Sequence, residues 1–176
     1  MKIKNLLITL VLCVCGIANA NESGNEPKLK EFALESMGIA LNAPESWSDF
    51  SKEGLFQVID EETNTQFTAS VYDNAKKFTP RQWAELRFGI VNSKMTYLKY
   101  DNLASEVKAD SWYGIAGEFS GVFPNGKVTR KYVVLAIVEK DKLYSFTIVA
   151  DEDVYKEHKS FYQNLIRDNL KFTKRS

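Results

Sequence analysis

The chain is poor in the residues that do chemistry. It has two cysteines, one histidine and four prolines in 176 residues. Both cysteines, Cys13 and Cys15, fall in the first twenty residues. That stretch reads as a secretory signal: Lys2 and Lys4 form a basic start, an apolar core runs from Leu6 to Cys15, and Ala18-Asn19-Ala20 is a small-residue cleavage site. Neither cysteine follows the small residue that a lipid-attachment motif requires, so lipidation is rejected. Cleavage after Ala20 leaves 156 of the 176 residues, starting at Asn21. The expected location is periplasmic or secreted. The mature chain then holds no cysteine, which excludes disulfides, thiolate metal sites and cysteine nucleophiles. An exported protein of this kind must be stable through its core alone.

Charge of one sign is also lacking. Without Lys2 and Lys4 the 23 basic residues become 21, against 23 acidic ones, a net charge of about −2. No basic stripe stands out, so the electrostatic footprint of a nucleic-acid binder is missing. No second apolar run approaches the eighteen or so residues of a membrane span, so no transmembrane segment is expected after signal cleavage. Glycine-rich phosphate loops, serine elbows and paired histidines are absent too. Expected cofactors and metals are therefore none. About 150 residues suit one core, giving a polar, flexible mature N-terminus over 21–30 and a single domain over 31–176.

What is present is a three-strand antiparallel meander over 112–150. Its first connection holds Pro124-Asn125-Gly126, and Asn-Gly is a strong signal for a two-residue turn. Such a turn pairs Phe123 with Val128, Phe119 with Tyr132 and Ile115 with Ala136. A second tight connection at Asp141-Lys142 places Phe146 opposite Ile137 and Ile148 opposite Leu135. One face then carries Tyr113, Ile115, Phe119, Tyr132, Val134, Val138 and Val149. The other carries Val133, Leu135, Ile137, Phe146 and Ile148. The run from Tyr132 to Val138 is apolar without alternation, which means burial on both faces. Gly114, Gly117 and Gly121 thin the first strand and suggest a bulge or the close approach of a covering element. Glu118 and Lys131 share a face and read as a surface ion pair at the sheet rim.

Two amphipathic helices are available to cover the faces. Thr79-Pro80-Arg81-Gln82 is a capping box with proline at the first helical position, and Phe78 with Trp83 forms a hydrophobic staple. The apolar arc includes Trp83, Leu86, Ile90, Val91, Tyr97 and Leu98, widened by Phe88 and Met95. Arg87 and Lys94 lie within it, read as snorkelling stems rather than an anion clamp. The second helix is expected over 153–169, with acids at its positive end and Lys171 and Lys174 after its negative end. Its buried face is expected to hold Val154, His158, Phe161, Tyr162, Leu165 and Ile166. Short strands are expected over 30–36, 38–41, 55–60, 66–72 and 100–110. Asp60-Glu61-Glu62 lacks the alternate spacing and glycine turn of a calcium loop, and reads as a hairpin tip.

The segment Gly38-Ile39-Ala40-Leu41-Asn42-Ala43-Pro44-Glu45-Ser46-Trp47 is similar to the opening strand and Pro-x-x-Trp signature of the PsbP-like superfamily. The first helix, and the ending from Phe161 to Phe172, resemble that superfamily as well. The resemblance covers most of 31–172. It implies an α+β fold, an α/β/α sandwich whose antiparallel sheet has helices on both faces. The superfamily includes the lumenal subunit of photosystem II, a Ran-binding import factor and bacterial envelope proteins of the DcrB type. Its members mostly bind or stabilise larger protein assemblies and are mostly not enzymes, and no shared active site carries over.

The expected function is thus an exported, non-enzymatic accessory protein whose partner is an envelope protein. Trp47, Trp112 and Tyr72 are the candidate contact residues, since aromatics dominate interface hot spots. The alternative is a carrier of a small apolar ligand in a sheet–helix groove lined by Phe88, Tyr113 and Phe119. A hydrolase built on His158 ranks last, because no nucleophile is marked.

Overall fold

The computed structural model describes residues 27–109, 112–124 and 126–173, with nothing placed for the side chains of Tyr97 and Leu103. The signal-peptide assignment, the cleavage site and Asn125 lie outside the described residues. The elements are β1 (Leu29–Leu34), β2 (Ile39–Pro44), β3 (Ser48–Asp49), β4 (Phe56–Asp60), β5 (Thr65–Asp73), α1 (Pro80–Ser93), β6 (Thr96–Lys108), β7 (Tyr113–Val122), β8 (Arg130–Glu139), β9 (Lys142–Asp151), α2 (Glu152–Glu157), α3 (Lys159–Asn169) and β10 (Leu170–Phe172).

The main sheet has seven antiparallel strands in the order β3-β4-β5-β9-β8-β7-β6. The β7–β8–β9 meander lies between β5 and β6, and β6 is one of the two edge strands. A small sheet, β1-β2-β10, closes the other layer together with α3. The main sheet therefore has α1 on one face, and α2, α3 and the small sheet on the other. This is the α+β sandwich that the double-sided apolar strands require. Every residue from Lys131 to Ile137 is buried, because both faces of β8 have a cover.

The register of the first hairpin matches the expectation: Phe119 faces Tyr132 and Ile115 faces Ala136. The turn does not. The ladder stops at Gly121–Arg130, so Phe123 and Val128 are not a ladder pair. Gly126 N–H donates to the Phe123 carbonyl at 2.8 Å, with Pro124 between them. Proline fixes φ near −65° and suits the second position of an ordinary turn, which shifts the turn one residue early. In the second hairpin Phe146 faces Leu135 and Ile148 faces Val133, two residues away from the expected partners. The connection is at Lys140-Asp141, where Lys140 adopts φ +54°, rather than at Asp141-Lys142. An even displacement keeps every side chain on its face, so both face assignments stand.

Helix α1 begins as expected, with Thr79 accepting from Gln82 N–H and the Gln82 side chain accepting from Thr79 N–H. It ends earlier, at Ser93. Ser93 Oγ donates back to the Ile90 carbonyl at 2.8 Å, the local competition that makes serine a poor helix interior. Thr96 already belongs to β6, and Leu86 is exposed rather than in the buried arc. Gly117 and Gly121 serve close approach: a Cβ on Gly117 would sit 2.9 Å from the Phe88 ring, and one on Gly121 would sit 3.1 Å from Met95 Sδ.

The last helix is broken. His158 has φ −107° and ψ +21°, which separates α2 from α3. Tyr155, Tyr162, Leu165 and Ile166 are buried, and His158 is exposed instead of central to that face. Phe172 tucks back on the core as expected, edge-on to Tyr144 at 4.7 Å between ring centroids.

Candidate functional site

The side of the sheet that carries α1 holds a row of rings. Phe119 on β7 is fully buried and faces Tyr132 on β8. Tyr100 on β6 meets Phe119 edge-on at 5.6 Å, and Phe123 meets Tyr132 edge-on at 5.7 Å. The row is dry in the middle and open at both ends, with Tyr100 48% and Phe123 44% exposed. Offset and edge-on rings of this kind hold one another rigidly. Burial pushes the Tyr132 hydroxyl up to about 12, against an opposing pull from Arg130. Tyr72 is 46% exposed on the same side, edge-on to Trp83 at 5.6 Å, and Leu86 is exposed on α1. Arg87 lies over the Trp83 ring and donates from Nε to the buried Ser145 hydroxyl at 2.8 Å. That hydrogen bond holds α1 to β9.

The opposite side carries a charged hub. The Lys131 side chain is 8% exposed. Its ammonium lies 2.7 Å from Asp101 Oδ2 and 3.4 Å from Glu118 Oε2. Ser120 donates its hydroxyl to Asp101, and Lys159 of α3 lies 3.6 Å from Glu118. The expected surface ion pair is thus part of a wider network, joined by Asp101, Lys99 and Lys159, in which Lys131 is buried and the carboxylates are partly open to solvent. Asp101 reaches Lys131 across β7 because the intervening side chain, Ser120, is small. Burial raises the Asp101 pKa, but hydrogen bonds from Lys131, Ser120 and Lys99 outweigh it and hold the carboxyl far below its ordinary range. Asp101 carried no signal in the sequence. It sits in an edge strand, and its partner is two strands away.

The structure disperses the aromatic candidates read from the sequence. Trp47 and Trp112 are core side chains, 3% and 5% exposed, so neither presents its ring to solvent. Trp47 packs edge-on to Phe161 at 6.4 Å. Tyr72 alone of the three is at the surface. Phe88 and Phe119 are packed edge-on at 5.3 Å beneath α1, with Phe88 against Gly117, so their own rings fill the space proposed as a groove. Tyr113 is half-buried beside them, and the Lys108 ammonium lies 5.8 Å from its ring. His158, exposed at the helix break, has an edge-on contact with Tyr162 at 6.2 Å. Among the described residues no group of three or more His, Cys, Asp or Glu is arranged to hold a metal ion. No helix among them is long and apolar enough to cross a membrane.

The fold is PsbP-like. Solved structures share it. Cyanobacterial PsbP (CyanoP) from Synechocystis aligns with a TM-score of 0.59 at 11% identity, over 89% of this chain and 99% of that one. The Ran-binding protein Mog1p of Saccharomyces cerevisiae aligns at 0.57 and 13% identity, over 84% and 96%. LpqN of Mycobacterium tuberculosis, described as involved in cell envelope biogenesis, aligns at 0.52 and 14% identity, over 84% and 91%. At such identities the likeness is one of fold. No family model matches the sequence, and no curated protein matches it.

Proposed function

We propose that this chain is an exported, non-enzymatic accessory protein of the bacterial envelope that binds a larger protein assembly. The observation that carries the reading is the aromatic row Tyr100–Phe119–Tyr132–Phe123, rigid in the middle and exposed at both ends. Aromatics fixed by a packed scaffold lose little entropy on binding and are favoured at interface hot spots. Tyr72 and Leu86 extend the exposed apolar area on the same side. The partner is an envelope protein that presents apolar side chains to this face. The fold supports a binding role, since one solved structure that shares it is a Ran-binding protein and another is tied to envelope biogenesis.

The test is photo-crosslinking in living cells, with a benzophenone amino acid placed at Tyr100, Phe123 or, as a control, the exposed Lys52. The expected outcome is one discrete protein adduct from Tyr100 and Phe123 and none from Lys52. No adduct from either aromatic position, or equal adducts from all three, defeats the reading. The same cells test export. Mature protein that begins at Asn21 belongs in the periplasmic or extracellular fraction, and uncleaved protein confined to the cytoplasm contradicts it.

A further inference from the structure

The side of the sheet opposite that surface has an opening that the core does not fill. Two cavities adjoin there. One, of about 370 Å³, is the polar chamber around Lys131, walled in part by Asn102, Tyr155, Lys156 and Lys159. The other, of about 240 Å³, is lined mainly by Val107, Ala116, Val133, Leu135 and Ile166. Asn102 and Glu118 line both, so the chamber and the apolar cavity adjoin. The fold leaves this space because α3 packs towards β2 and β10, while β6 bulges on both sides of Asn102. The side chains beneath, Ser105 and Ala116, are too small to fill it.

The chamber has donors to spare. Lys99, Lys131, Lys156 and Lys159 face Asp101, Glu118 and Glu152, an excess of one positive charge. The Lys156 and Lys159 side chains are 63% and 50% exposed; Lys156 pairs with Glu152 at 3.4 Å and Asp153 at 3.5 Å, and Lys159 with Glu118 at 3.6 Å. Such exposed pairs are weak and exchange at little cost. Tyr155 differs. It is 2% exposed, and its hydroxyl makes no hydrogen bond of normal geometry. Glu118 is its nearest acceptor and holds it only loosely; burial first, then the charge and the loose hydrogen bond of Glu118, push its pKa up, so it remains a neutral donor. A buried hydroxyl with an unmet bond costs stability unless something accepts from it. Asp101 and Glu118 face the same chamber but are tied to Lys131, which leaves the α2–α3 wall for an incoming anion.

We propose that this double cavity binds a small amphipathic anion, a single apolar chain that ends in a carboxylate. The head accepts from the Tyr155 hydroxyl and pairs with Lys156 and Lys159. The chain lies between Ala116, Val133, Leu135 and Ile166. A charged molecule without the chain leaves the apolar cavity empty, and an uncharged chain leaves the ammonium groups to water. The site lies across the sheet from Tyr100 and Phe123 and stands or falls separately from the protein-binding surface.

The test is titration of sodium decanoate into the ¹⁵N-labelled mature protein, below its micelle concentration, followed by amide shifts. Saturable shifts centred on Ala116, Val133, Tyr155 and Ile166 are expected. Acetate and decanol are each expected to bind at least ~10-fold more weakly, a difference of about 1.4 kcal/mol. Ala116→Leu, which fills the cavity, and the surface pair Lys156→Glu with Lys159→Glu are expected to weaken decanoate by a similar factor. The lysine pair is exposed, so it keeps the test open if Ala116→Leu misfolds. Absence of saturable shifts, decanol binding as tightly as decanoate, or unchanged binding in the lysine variant overturns the proposal. So does sedimentation with phosphatidylglycerol vesicles without decanoate binding, which assigns the lysines to a membrane surface.

Discussion

Phe119–Tyr132 and Ser120–Lys131 are neighbouring rungs of one ladder, yet they point into unlike environments. The first rung sits in a dry aromatic row beside α1. The second sits in an ion network beside α2. The difference lies in what covers each face. Helix α1 is pressed on the sheet at Gly117 through Phe88, and the chain after it approaches at Gly121 through Met95, so rings interlock there. On the other side α3 stands over the small sheet, and the β6–β7 margin is closed by charges instead of packing. A surface rigid enough to present aromatics and a cavity able to admit a ligand thus arise from one strand pair. Side-chain volume sets the first and its lack sets the second.

The comparison breaks most sharply at the hub. Lys131→Met removes the one buried cation of the hub and leaves Asp101 to Lys99 at 3.1 Å and Glu118 to Lys159 at 3.6 Å. Breaking a fully buried ion pair costs about 3–5 kcal/mol, which is an upper bound here because exposed cations remain beside both carboxylates. Phe119→Ala is expected to cost a similar ~3–5 kcal/mol through the cavity it leaves. Urea denaturation of both variants measures this. A loss below ~1 kcal/mol for Lys131→Met would mean that the network is as weak as an ordinary surface pair.

Acid sharpens the contrast through Asp101, which belongs to the ion network. The Asp101 carboxyl is held below its ordinary value in the folded state. Its stabilisation is therefore present above the unfolded pKa of about 3.9 and is lost as the pH falls through the lower folded value. The wild type is expected to lose stability below about pH 4, and Asp101→Asn to be weaker at pH 7 but flatter over that acid range. Parallel acid titrations of the two proteins would refute the assignment.

The smallest expected effect belongs to Gly117→Ala. Its Cβ would meet two atoms of the Phe88 ring at 2.9 Å, and overpacking of this kind costs about 1–3 kcal/mol. Thermal unfolding unchanged by Gly117→Ala would show that α1 rides the sheet more loosely than the aromatic row implies.

The two-faced meander, its first register, the α1 capping box and the glycine approach were legible because they rest on local rules: period two in strands, capping hydrogen bonds, and the missing Cβ of glycine. The roles of Trp47, Trp112 and His158 were not. Whether an aromatic faces in or out depends on what lies above it, and on the last helix Tyr155 is buried while His158 is exposed. The groove expected at Phe88, Tyr113 and Phe119 was filled by those rings, while an opening formed on the other face.

The sequence by itself determined the antiparallel α+β sandwich, since continuous apolar strands need two covers and the chain offers two amphipathic helices. It also set the poverty of chemical groups, a matter of composition. Only the tertiary structure brought Asp101 to Lys131 and set the chamber beside the apolar cavity. These contacts join elements distant in the chain, and they depend on where α3 settles and where β6 bends, which no local pattern encodes.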